Sequence, residues 1–160
     1  MNVLVMYSSK TGNTQKLAQE VAKGVEQVDG VTCVLKPCAD VVREDFLSSQ
    51  AIVAGSPVYF GGMSAELKDV FDKFVGIRSR MGDKIGAAFT TSGGEAGGRE
   101  TTLLSILQAM LIYGMIVMGD PLDASGHYGV SCVGAPDVKT AEDAAKLGKR
   151  LAELAKKVRE

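Results

Sequence analysis

Five short apolar runs, each followed by a segment of different periodicity, decide what this chain can fold into. The first, Val3-Leu4-Val5-Met6-Tyr7, is too short for a helix and carries β-branched residues, so it reads as a buried strand. Leu17, Val21, Val25 and Val28 then recur at helical spacing and predict a helix from about Thr14 to Gln27. Further strands are expected over Val31 to Leu35, Ala51 to Ala54, Lys84 to Phe89 and Met115 to Met118. Between and after them, a short helix is expected around Val41 to Leu47 and a longer one capped by Ser64, with Leu67, Val70, Phe71 and Phe74 on one face. Another is expected from about Arg99 to Tyr113, and a last one opened by a Thr140/Asp143 capping pair. Asp120 to Pro136 reads as a long connection.

Strands alternating with helices imply a parallel sheet covered on both faces. Right-handed crossovers leave five such strands few layouts, and the order 2-1-3-4-5 places strands one and three side by side. Ligands then bind at the carboxyl ends of the strands, where the loops after strands one, three and four converge.

The first of these loops is Ser9-Lys10-Thr11-Gly12-Asn13-Thr14. It precedes a helix, whose first N–H groups lack partners and whose dipole favours an anion. Ser9, Thr11 and Thr14 add hydroxyl donors, and Gly12 allows close backbone approach. Neither the P-loop pattern nor Gly-x-Gly-x-x-Gly occurs here, so a terminal monophosphate fits better than a nucleoside triphosphate. Taken alone, the segment is equally a polar turn with a hydroxyl cap.

The second loop, Ser56-Pro57-Val58-Tyr59-Phe60-Gly61-Gly62-Met63-Ser64, joins two aromatics to a glycine pair and suits a planar heterocycle. Its other reading is that Tyr59 and Phe60 plug the edge of the sheet. The third, Thr90 to Gly98, offers accessible amides for the polar edge of a flat ring, or is a surface loop. Together the three describe a phosphate at one end and a flat ring at the other.

The 160 residues, 46% of them hydrophobic, suffice for one well-buried domain, taken as residues 1–160. A net charge of -1 gives no nucleic-acid footprint and no attraction to anionic membranes. The apolar stretch Leu103 to Met118 is interrupted by Ser105, Gln108 and Gly114, so no membrane insertion is expected. Cys33, Cys38 and Cys132 lack metal-site or disulfide-framework spacing, which predicts reduced thiols, no metal and a cytoplasmic setting.

Four segments carry a family resemblance: Tyr7 to Thr14, Gly55 to Ser64, Gly97 to Thr102, and Tyr113 to Val117. On these the chain resembles flavodoxin-fold FMN proteins, and among them the WrbA-type NAD(P)H:quinone oxidoreductases. The resemblance implies a flavodoxin-like three-layer α/β sandwich with the 2-1-3-4-5 sheet. It implies that Ser9, Lys10, Thr11, Gly12, Asn13 and Thr14 hold the FMN phosphate. Pro57, Val58, Tyr59, Phe60 and Gly61 would border the isoalloxazine, while Thr91, Ser92, Gly93, Gly94 and Gly97 would meet its polar edge. His127-Tyr128-Gly129 resembles a Pro-Tyr-Gly segment near the flavin, which makes His127 and Tyr128 catalytic candidates. The family's extra segment before the third strand is missing, and its ring-covering aromatic has no counterpart in Gly76 to Arg80.

The implied activity takes electrons from NADH or NADPH through FMN to a quinone-like acceptor, in a homo-oligomer (dimer or tetramer). Two competitors stand beside it: a flavodoxin-type single-electron carrier and a non-catalytic binding module of the same fold. Near-neutral charge and the absence of tryptophan weigh against the carrier.

Overall fold

In the computed structural model, residues 1–159 are described. Strand β1 (Asn2–Tyr7) pairs in parallel with β2 (Thr32–Pro37) on one side and β3 (Ser49–Pro57) on the other. Beyond β3 lies β4 (Ile85–Ser92), and the expected order 2-1-3-4-5 is present. Helices α1 (Asn13–Glu26), α2 (Arg43–Ser48), α3 (Ala65–Lys73), α4 (Arg99–Ile112) and α5 (Val138–Arg159) alternate with the strands. Short 3-10 segments follow β2 and α3, at Cys38–Asp40 and Val75–Arg80.

Side chains of a strand alternate between faces, and β1 shows how that splits the core. Val3, Val5 and Tyr7 join Leu17, Val21 and Val25 of α1 and Leu147 and Leu151 of α5. Leu4 and Met6 join the other layer, with Leu67 and Phe71 of α3 and Ile106 and Met110 of α4. An aromatic cluster anchors that second layer: the Phe46 ring lies 5.4 Å from Phe74 and 6.1 Å from Tyr113. The Tyr113 hydroxyl donates to the Phe71 carbonyl at 2.5 Å, and burial pushes its pKa up to about 12.

The sheet corrects the sequence reading at its far edge. Ile116–Val117 is all that pairs of the expected fifth strand, against Ile85 and Gly86. The chain then leaves the edge and returns as β6 (Val130–Val133), which pairs with Phe89 to Ser92 of β4. The edge is therefore one interrupted strand position, and what read as a connection contains its second half. Strands β3 and β4 also run further than their apolar runs. Gly55, Ser56 and Pro57 pair with Phe89, Thr90 and Thr91, and the Thr90 hydroxyl donates to the Ser56 carbonyl at 2.6 Å. Hydroxyl residues read as loop are thus buried strand ends.

Ser64 caps α3 as expected, its Oγ accepting from the Leu67 N–H at 3.3 Å. The Thr140/Asp143 pair does not cap α5. Asp137 does so instead, accepting from the Thr140 N–H at 2.8 Å, while Asp143 lies a turn inside the helix. None of the described helices is long and apolar enough to cross a membrane.

Candidate functional site

The phosphate-type loop is built around Gly12, which caps α1 with φ 88°. A Cβ there would meet no atom within 4 Å, so the requirement for glycine is one of backbone hand, and the space beside it is open. Ser9 Oγ accepts from the Gly12 and Gln15 N–H groups at 3.2 and 3.3 Å. The amides of Thr11, Asn13 and Thr14 donate to no acceptor among the described residues. Lys10 turns aside, its Nζ 3.9 Å from Glu66 and 5.4 Å from the centre of the Tyr59 ring. Thr11 is exposed, whereas Thr14 is buried.

Four contacts bring the three loops to one place. Thr14 Oγ1 lies 2.8 Å from Thr91 Oγ1. The Val58 N–H donates to the Thr91 carbonyl at 2.8 Å, and the Ser8 N–H to the Gly55 carbonyl at 3.0 Å. On the far side, a Cβ on Gly98 would fall 3.0 Å from Gly61 Cα. Pro57, Val58 and Tyr59 are half-buried at this junction, and Gly93 and Gly97 are exposed around Gly94.

Tyr59 to Gly62 form a two-residue hairpin, with the Tyr59 N–H donating to the Gly62 carbonyl at 3.1 Å and the return bond at 3.0 Å. Both central residues have positive φ, 51° at Phe60 and 75° at Gly61, the signature of a type I′ turn. Asn or Gly is the usual first residue of such a turn. Here a phenylalanine takes it, fully exposed at the tip. The neighbouring chain is tied down: Ser56 Oγ accepts from the Ser64 N–H at 2.8 Å and Ser105 Oγ from the Met63 N–H at 3.1 Å. In the third loop the Ser92 hydroxyl donates to the Gly94 carbonyl at 2.8 Å.

His127 and Tyr128 stand elsewhere. Both are exposed in the segment between β5 and β6, and both line a cavity of about 390 Å³ at the sheet edge, together with Arg99, Leu103, Asp120 and Lys139. Asp120 is a functional candidate that sequence reasoning missed. It is 8% exposed, and neither carboxylate oxygen has a hydrogen-bond partner among the described residues. Burial first, and the Asp143 charge second, push its pKa up to about 6, against opposing pulls from His127, Arg150 and the adjacent Gly126 amide. The Gly-Asp-Pro spelling of residues 119 to 121 carries no signal that would have singled it out.

The three thiols are free, and burial is the largest cause of their raised pKa values, about 12 for Cys33 and Cys38 and about 11 for Cys132. They are poor nucleophiles at neutral pH.

A doubly wound sheet with neutral hydroxyl and amide donors after β1, and an aromatic hairpin facing a glycine loop after β3 and β4, defines a flavodoxin-fold protein of the FMN-binding class. The donor set fits the group: uncharged donors at a helix start suit a phosphate monoester, and the space beside Gly12 is open to it. The chain belongs to the NADPH-dependent FMN reductase family, whose model matches residues 28–128. It is 37% identical over 158 residues to a flavodoxin of Aquifex aeolicus, covering 94% of this chain and 85% of that one. It is 34% identical over 187 residues to an NAD(P)H dehydrogenase (quinone) of Archaeoglobus fulgidus, covering 98% of each. Its fold also matches that of a solved flavodoxin, WrbA-like protein from Agrobacterium tumefaciens, with TM-score 0.83 and 24% identity over 98% of both chains.

Proposed function

We propose that this chain is an FMN-dependent oxidoreductase that passes electrons from NADH or NADPH to a quinone-like acceptor. The observation that carries it is the meeting of the Ser9 to Thr14 loop, the Tyr59 to Gly62 hairpin and the Thr91 to Gly98 segment in one crevice. A relative named NAD(P)H dehydrogenase (quinone) aligns over 98% of this chain. FMN, when bound, supplies a ring that accepts a hydride and returns the electrons to an acceptor.

The chain's own residues do the holding. Ser9 to Thr14 bind the phosphate through N–H and hydroxyl donors, with Thr91 fixing Thr14 in place. Pro57 to Gly61 border one side of the ring and keep water from it, with Phe60 as the outermost surface. The amides of Gly93 and Gly94, with Ser92 and Gly97 shaping their turn, stabilise negative charge at the ring's polar edge. His127 and Tyr128 line the edge cavity beside Arg99, Glu100 and Leu103 of α4, and the proposal keeps them as its candidate proton donors to the acceptor.

The 37% identity to a flavodoxin favours a second reading, a one-electron carrier. Titrating the protein with FMN, then mixing it anaerobically with NADH or NADPH with and without benzoquinone, separates the two. Nicotinamide oxidation far beyond the protein concentration, only with quinone, is expected. FMN uptake without such turnover favours the carrier, and no uptake removes both.

The proposal places the enzyme in the cytoplasm as a homo-oligomer. Leu104, Leu111 and Ile112 form an exposed stripe on α4, continued by Ile116, which a second copy would cover. Sedimentation equilibrium at micromolar concentration should return more than one chain per particle.

A further inference from the structure

Residues 119–128 form a strap between β5 and β6, and Asp120 is its one buried side chain. Leu122, the residue best suited to anchor such a segment in the core, is fully exposed. What the strap covers is therefore a carboxyl group. Both of its oxygens are buried, and neither has a hydrogen-bond partner among the described residues. A segment without an apolar anchor can lift while the core stays intact, because little apolar area is exposed.

Three residues on successive turns of one face of α5 hold the strap shut. Arg150 donates to the Gly119 carbonyl at 2.9 Å and to the Asp120 carbonyl at 2.5 Å, and Lys146 Nζ lies 2.8 Å from the Asp123 carboxylate. Asp143 Oδ2 accepts from the Ser125 N–H at 3.1 Å and from the Ser125 hydroxyl at 2.9 Å. Each of these contacts is polar, and water can replace it when the strap lifts. The closed arrangement is tight all the same. A Cβ on Gly119 would fall 2.1 Å from the His127 carbonyl oxygen, and one on Gly126 would fall 2.1 Å from Asp120 Oδ2, so solvent does not reach the carboxyl.

The charges around Asp120 come from three sides. From α5, Asp143 faces it, while Arg150 is committed to the two backbone carbonyls; from the strap itself comes His127. Arg99 and Glu100 of α4 line the same cavity, and β6 adds only the uncharged Val130 and Ser131. Asp143 is already taken, with Lys139 Nζ 2.6 and 2.8 Å from its oxygens. Against burial, its bonds to Lys139 and Ser125 hold its carboxyl below the usual carboxylate range, so it stays ionised where Asp120 titrates. Burial first, then Asp143, favour the neutral form of Asp120 beneath the strap. The closed strap therefore keeps a proton that the open strap, with the carboxyl in water, gives up.

We infer that the 119–128 strap is a pH-operated latch, closed over a protonated Asp120 and loosened when that carboxyl ionises, which takes away one wall of the edge cavity. An uncompensated carboxylate is costly where it is buried and harmless where it is hydrated, so its charge pulls the strap toward the open form. His127 and Tyr128 ride on the strap, and the same proton governs where they stand. The latch requires neither FMN nor an acceptor, so its failure would leave the proposed function standing.

Amide hydrogen exchange of the full chain at pH 5 and pH 7.5, expressed as protection relative to an unstructured peptide at the same pH, tests this. The Ala124 and Ser125 amides, bonded to the Pro121 carbonyl and to Asp143, report on the strap; the Met118 and Gly134 amides, bonded to the Gly86 and Ser92 carbonyls, report on the sheet beside it. At both pH values the strap amides are expected to be at least about tenfold less protected than the sheet amides, and their protection to fall roughly tenfold from pH 5 to pH 7.5. In the parent the fall should follow the titration of the Asp120 carboxyl carbon, read by carbon NMR. Asp120→Asn is expected to hold strap protection constant across the two pH values, whereas His127→Gln, which removes the other titratable side chain facing Asp120 from within the strap, should leave the fall in place. Strap amides as protected as the sheet would mean that the strap opens only when the chain unfolds and would overturn the inference. So would constant protection in the parent, an Asp120 carboxyl that titrates where a hydrated aspartate does, a fall that survives in Asp120→Asn, or one that disappears in His127→Gln.

Discussion

Thr14 and Thr91 meet hydroxyl to hydroxyl, 2.8 Å apart and buried, although 77 residues of chain separate them. The contact ties the first turn of α1 to the end of β4, so one pair of side chains fixes both the phosphate loop and the start of the glycine loop. Replacing either threonine by valine keeps the shape and leaves the other hydroxyl unpaired. Each single variant should lose about 1–3 kcal/mol of stability, and the double variant less than the sum. Urea unfolding of the four proteins measures this; strict additivity would show that the two hydroxyls do not interact.

Thr11 offers a cleaner probe of cofactor binding, because it is exposed and bears no structural bond. Thr11→Ala should change stability by no more than about 0.5 kcal/mol while weakening FMN uptake severalfold. An FMN titration with the parent's affinity would remove Thr11 from the phosphate site. Thr14→Ala alone cannot make this distinction, since it also breaks the buried pair.

Phe60 holds a backbone conformation that suits asparagine or glycine, and its ring packs on nothing that would hold it there. Residues kept in such regions cost on the order of 1 kcal/mol or more, and they cluster at ligand sites. Phe60→Asn should therefore stabilise the protein by about 1 kcal/mol and at the same time lower turnover with NADH and quinone. Melting temperature and steady-state rates decide it: a variant both more stable and as active would mean that the ring has no part in the crevice.

The sequence showed the strand order, the helices and the three loops because each rests on local signals, apolar runs and hydroxyl or glycine clusters. It failed where pairing across the sheet overrode local character. Thr90, Thr91 and Ser92 look like loop, yet they are buried strand because β3 lies on one side and β6 on the other. β6 itself, Val130 to Val133, is short and follows a glycine-rich turn, so only its register against Phe89 to Ser92 marks it as strand. Asp120 was invisible for the same reason: its burial is made by α5 and the 125–129 turn folding over it, not by its neighbours in sequence.

Lys84 closes the opposite end of the sheet. It is 8% exposed, and its Nζ donates to the Leu47 carbonyl at 3.0 Å and to the Ser49 carbonyl, joining the start of β4 to the end of α2 and the start of β3. Burial, then Arg80, hold its pKa below the usual lysine value. Lys84→Met fills the same space without the donors and strands two carbonyls. A loss of about 1–3 kcal/mol is expected, with FMN affinity unchanged because the site is at the other end of the strands. Unchanged stability in Lys84→Met would mean that these carbonyls find other partners.

Asp120 gives a prediction with a definite pH window. Its folded pKa of about 6 lies above the ordinary 3.8, so the folded chain holds its proton more tightly than the unfolded one. The stability tied to that proton is fully present below about pH 4 and is lost as pH rises through about 6. Asp120→Asn mimics the protonated side chain at every pH, and all other titrating groups are common to both proteins. The variant should match the parent near pH 4 and exceed it by roughly 1–3 kcal/mol at pH 7.5, the upper figure being a two-unit shift at about 1.36 kcal/mol each. Urea midpoints at the two pH values supply the comparison. A difference that stayed constant with pH would show that the carboxyl is not buried uncompensated.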